Sequence, residues 1–249
     1  MKRILARVER VSKQLEQSAL CGWLREDDDA EDKLKFVPSM LFFVLGFKDI
    51  LESMSVSEPG TYLELEVNTH CLEDMDHWKW YLEDLGRLGF SEKSWGPSSF
   101  SIIENIWSSK SFVVRDLVYT TIYHVKRHNN PLISLVTIEM LEAAFGVFID
   151  SMKDQLQHSG LYNRLQYFGK LHVDKELAHS RGAWVNGERI FPNENFKKSE
   201  LDNVTCALLE DVVDDIAGKM LDVFNYWFHS RHDFVRYQPK KNNLVSPVQ

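Results

Sequence analysis

Cysteine is scarce in this chain and poorly spaced for pairing. Cys21, Cys71 and Cys206 form no CxxC motif and cannot all pair within one molecule. That excludes a disulfide framework and makes a reducing cytoplasm the simplest home. No stretch reaches the ~18 consecutive apolar residues of a membrane span, and "FVPSMLFFVLGF" is short and followed by charges. No membrane is therefore expected. The opening "MKRILARVERVSKQLEQ" lacks the long apolar core and small-residue cleavage site of a secretory signal. A basic stripe with interleaved aromatics is also missing, and the net charge is −8, so nucleic acid is not an expected partner. Strand patterns, low-complexity segments and short-period repeats are all but absent.

What remains is helical period. The 249 residues are 44% hydrophobic and 27% charged, enough for a large buried core under a polar surface. Ile4, Val8 and Val11 share one side of an N-terminal helix. "REDDDAEDK" then reads as a solvated connector, and Pro38 lies near the start of an apolar, central helix ending at "LESM". "SEPG" breaks the chain. The spacing predicts one continuous helix from "TYLELEV" to Gly86 or Gly89, and another from about Phe100 to Lys126, bent near "SSKS". "KRH" suits a helix end, where cations complement the dipole. Beyond "HNNP", "LISLVTIEMLEAAFGVFIDSM" is strongly apolar. A further helix is expected over "YNRLQYFGKLHVDKELAHS", and "GAWVNGERIFPNEN" reads as irregular. Ser199 and Asp202 suggest a capping box for a last helix carrying Leu201, Val204, Leu208, Val212, Ile216 and Met220. Seven or so helices predict an all-α, single-domain bundle over 1–238, with the N-terminal helix and acidic connector in 1–35. A polar tail follows at 239–249.

Within this pattern one arrangement repeats. "HCLEDMDHW" and "HVDKELAHS" each hold His-x3-acid-x2-His: His70, Asp74, His77 and His172, Glu176, His179. On a helix, positions i, i+4 and i+7 fall within about 60° of one another, so each trio makes a stripe. Imidazole and carboxylate are good ligands for first-row transition metals. Glu139 and Glu142 interrupt the apolar helix, where a buried carboxylate is costly without a cation. Glu142, deeper in the run and followed by small residues, is the better ligand candidate; Glu139 is a second ligand or a supporting partner. Di-iron and di-manganese carboxylate bundles use such a plan, whereas a structural zinc site needs only four ligands. The bland alternative is that these acid–histidine pairs are local helix contacts.

The pattern of a His/acid helix, a Glu-bearing helix and "YFGKLHVDKELAHS" resembles the heme-oxygenase-like diiron oxidases. The resemblance covers most of the chain from about Phe36. It implies the seven-helix bundle shared by heme oxygenase, the TenA thiaminases and protein C of PQQ synthesis. It also implies two iron ions, manganese accepting the same ligands, and O2 used to oxidise a small amine- or acid-bearing molecule. His77, Glu142, His172, Glu176 and His179 match the family's ligands. For its early carboxylate, His70 occupies one usual position, Asp74 another, and Glu73 is close enough to contend. Homodimeric assembly is a family expectation as well. Trp78, Phe145, Phe148, Tyr167 and Phe168 are candidates to line an apolar substrate pocket, with plain core packing as the alternative for each. Arg164 and Lys170 are candidates for holding a substrate carboxylate. Two other readings stand beside the oxidase. One is a metal-free or single-metal relative of the TenA or PQQ type, a hydrolase or cofactor-synthesis protein, with Cys206 as the available thiol. The other is a non-catalytic helical interaction module.

Overall fold

The computed structural model describes residues 1–98, 100–178, 183–185, 188–190 and 201–234. Ser199, His179 and the tail at 239–249 lie outside them. The fold is all-α. The first half carries α1 (Lys2–Glu16), α2 (Ala19–Arg25), α3 (Ala30–Lys33), α4 (Leu41–Met54), α5 (Tyr62–Asp74) and α6 (His77–Arg87). The second carries α7 (Ser101–Trp107), α8 (Phe112–His128), α9 (Pro131–His158), α10 (Lys170–Ala178) and α11 (Asn203–His229). Where irregular chain was expected, β1 (Ala183–Val185) pairs antiparallel with β2 (Glu188–Ile190).

The axis of the molecule is α9. Asn130 caps it through its side chain, which accepts the Leu132 N–H, and Pro131 takes the first helical position, where no N–H is needed. Every residue from Ile133 to Ala144 is buried, because α1, α2, α5, α8 and α11 all pack against this helix. By length and composition α9 is also able to cross a membrane, which a count of uninterrupted apolar residues misses. In this fold 83% of its most apolar window lies inside the protein. α1 buries Ile4, Val8 and Val11 as its period predicts, and Arg3 and Arg7 pair with Glu210 and Asp214 of α11. The acidic connector is not wholly solvated: Lys33 is buried, with its ammonium over the Trp23 ring and 3.1 Å from Asp28. On α11 the cap is Asp202, whose carboxylate accepts the Val204 and Thr205 N–H groups. Val204, expected in the core, is 80% exposed in that first turn, and burial begins at Leu209.

Two corrections shape the site. The continuous helix expected from 61 to 89 is broken at Met75 and Asp76, giving α5 and α6. Glu73 and Asp74 stand at the end of α5, where negative charge opposes the helix dipole, and Asp76 is an acidic residue at the N-cap of α6, where it is favoured. The second correction concerns "YNRLQYFGK". Only the short turn Leu161–Asn163 and α10 are helical there. Asp84, fully buried on α6, accepts the backbone N–H groups of Gln166, Tyr167 and Phe168 at 2.8–3.2 Å. Arg87 adds a hydrogen bond to the Arg164 carbonyl at 3.0 Å. Gly169 is required by close approach, since a Cβ there would lie 2.1 Å from the Leu165 carbonyl oxygen.

Burial pushes the Asp84 carboxyl above its ordinary range, while the three N–H groups and Arg87 pull it back. Replacing Asp84 with Ala leaves three buried donors unmet. We expect a loss of about 3 kcal/mol in urea unfolding, with faster amide exchange at 166–168.

Candidate metal centre

α5, α6, α9 and α10 bring six of the sequence-predicted residues together in two adjoining groups. His70, Asp74 and Glu142 form one; His77, His172 and Glu176 form the other. In each, one ligand atom per residue lies within 4.8 Å of the others. All six are buried except Glu176, which is partly exposed.

The first group is built by one turn of α5 facing the middle of α9. His70 and Asp74 are four residues apart and share a face. His70 Nε2 lies 2.8 Å from Asp74 Oδ2 and 2.8 Å from Glu142 Oε1. One N–H cannot point at both oxygens, so the arrangement is one of charge around a centre more than of directed hydrogen bonding. Burial disfavours the charged imidazole, yet the Glu142 and Asp74 carboxylates outweigh it and push the His70 pKa up to about 10.

The second group depends on the helix break. His77 opens α6, stacks on Trp80 at 4.4 Å and meets the His172 ring edge-on at 4.3 Å. His172 Nδ1 is 2.9 Å from the Tyr167 carbonyl oxygen, which must accept, so Nδ1 carries the proton. Nε2 is left facing Glu176 at 3.0 Å, where it donates to the carboxylate when protonated and offers a lone pair to a metal ion when not. This carbonyl belongs to the segment that Asp84 holds by its amides, so Asp84 positions His172 at one remove. The two groups meet where His77 Nδ1 stands 3.5 Å from Asp74 Oδ1.

The other candidates separate cleanly. Glu73 is exposed and stands outside both groups. Glu139 is fully buried on α9 but belongs to neither. His179 lies outside the described residues. A small open cavity of about 40 Å³ adjoins the groups, and Trp78, Phe145 and Tyr167 line it. Phe148 lines a second, smaller space that shares Phe43, Leu141, Phe145 and Tyr167 with the first, and Phe168 packs behind it, their rings 6.2 Å apart. The wall is completed by Phe43, Val44, Phe47 and Leu141, which sequence reasoning did not single out because an apolar core helix and an apolar wall look alike. Arg164 and Lys170 are exposed and do not line the cavity; Lys170 pairs with Asp174.

An all-nitrogen-and-oxygen donor set of two imidazole-plus-carboxylate groups fits a pair of divalent first-row metal ions. Without metal, the proton on His70 is the local cation. Its folded pKa lies above the ordinary 6.5, so the stabilisation it gives is complete below about 6.5 and lost as pH rises through about 10. Urea midpoints of metal-free protein should therefore fall between pH 7 and 10, and His70→Gln should flatten that decline.

No protein-family model matches this chain, and no curated protein matches it.

Proposed function

We propose that this chain is a nonheme, two-metal oxidase or oxygenase, iron-dependent, in a bundle of the heme-oxygenase-like kind. The observation that supports it is the pairing of the two groups through Asp74 and His77 beside an apolar cavity. A single structural ion would need only one of them. His70, Asp74 and Glu142 would hold one ion, and His77, His172 and Glu176 the other. Manganese accepts the same ligands. When bound, such a pair supplies O2 activation for oxidising a small molecule.

The protein's own residues do the rest. Asp84 and the Tyr167 carbonyl fix the His172 tautomer, keeping Nε2 turned to the centre. Trp80, Phe145 and Tyr167 pack around the imidazoles and give the second group an apolar surround. Glu176, the one partly exposed member, stands where the cavity meets the groups. The free cysteines suit a reducing cytoplasm. Cys206, the thiol that a thiaminase-type reading would use, does not line this cavity.

Metal analysis tests the proposal. Protein purified without chelator should hold about two ions per chain, with Glu142→Ala and His172→Ala each falling to about one and Glu73→Ala unchanged. Fe(II)-loaded protein should consume O2 with a transient visible absorption. Metal-free protein that gains no thermal stability from Fe(II) or Mn(II) would refute the reading.

A further inference from the structure

Aromatic rings normally seek the core, yet α7 and α8 leave two rows of large apolar side chains in solvent. On α7, Ile103 and Trp107 share one face a turn apart, with Phe100 just before the helix. On α8, Phe112, Tyr119 and Tyr123 fall at i, i+7 and i+11 and form the second row. The half-buried Phe42 of α4 joins the rows, its ring 5.9 Å from both Trp107 and Tyr119. Arg115 fixes them in place. Its guanidinium donates to the Ile106 and Ser108 carbonyls and lies 4.9 Å over the Trp107 ring. The surface is preformed, so binding to it costs little ordering.

Size and charge say what it holds. The six side chains of the two rows are 49–65% exposed, and at about 100 Å² each they present roughly 600 Å² of apolar surface. That reaches the upper end of what a monomer usually shows, about 300–600 Å². A standard interface covers roughly 800 Å² per copy, about two thirds of it apolar in homodimers, and this face meets that need. Residues 101–128 hold four Lys or Arg and two acids, whereas the net charge of the chain is −8. Two copies therefore repel through most of their surface and least through this face.

We propose that this face joins two copies of the chain, α8 packing antiparallel on α8 across a two-fold axis at Tyr119. Tyr119 is the midpoint of the exposed row that runs from Phe112 to Lys126. Symmetry then sets Phe112 of each copy against Lys126 of the other, and Arg115 against Tyr123. Each ring meets a cation, so the face is complementary to itself. Tyr, Trp and Arg are also the residues that carry most binding energy at interfaces. The interface needs neither metal nor substrate.

Sedimentation of the wild-type chain should show a dimer that dissociates at about 1 µM or below. Tyr119→Lys and Tyr119→Glu each place like charges across the axis and should raise the dissociation constant at least about 30-fold. Mixed in equal amounts, the two variants should pair with each other and recover a dimer that neither forms alone. Trp107→Ser should weaken the wild-type dimer at least about tenfold. Val204→Lys, at an even more exposed apolar position on α11, should leave dimerisation unchanged. Circular dichroism of every variant should match wild type, since all three positions are exposed. A wild-type chain still monomeric at about 100 µM, a dimer indifferent to the Tyr119 and Trp107 variants, a mixture that stays monomeric, or a Val204→Lys loss as large as that at Tyr119 would each overturn the proposal.

Discussion

The cost of holding carboxylates away from water governs this site. Glu142 sits in the most deeply buried helix of the fold, and Asp74 faces it from α5. An ionised carboxylate in such a place costs several kcal/mol unless positive charge lies close. Both acids lie 2.8 Å from a single imidazole nitrogen. That geometry explains why His70 keeps its proton far above the usual histidine range, and also why a divalent cation would be the better occupant. A proton brings one positive charge to two acids. A metal ion brings two, and it accepts all three ligand atoms at once.

The break between α5 and α6 turns this one charge problem into two linked groups. An unbroken helix would align His70, Asp74 and His77 as a single stripe facing α9. Ending α5 at Asp74 lets His77 start a new helix and turn toward His172 instead. Asp74 remains within 3.5 Å of His77, so the groups stay in electrostatic contact. Of the acids at the break, Asp74 alone also belongs to the site, so the end of α5 and the charge of the first group share that one residue.

Much of this was legible in the sequence, and the misses have physical reasons. Helical period placed α1, α4, α8 and α9, and an acid inside an apolar run singled out Glu142. The His172–Glu176 pairing followed from spacing alone. The break at Met75 and Asp76 carries no glycine or proline, and its signal lies in charge placement that a periodicity reading passes over. The loss of helix before Gly169 is non-local: Asp84 captures the Gln166 amide from 82 positions earlier. Phe43 and Phe47 read as core because wall and core share one composition. Of the two rings placed on the wall by the same reasoning, Phe148 lines a smaller adjoining space that shares Phe43, Leu141, Phe145 and Tyr167 with the first, while Phe168 packs against Tyr81 and Phe148.

Asp84 and Glu142 show two different ways of compensating a buried acid. Both lie within the core, and each needs compensation. Asp84 finds it in three backbone N–H groups and Arg87, donors that are always present and cannot leave. Such an acid ties two segments together and has no reason to exchange partners. Glu142 faces imidazole, a group whose charge depends on pH and whose lone pair is as good a metal ligand as the acid itself. Compensation that can be gained or lost suits a place where an ion comes and goes. The distinction rests on the chemistry of the partner rather than on the depth of burial. By that standard the first acid supports the segment that holds His172, and the second is the one we propose as a metal ligand.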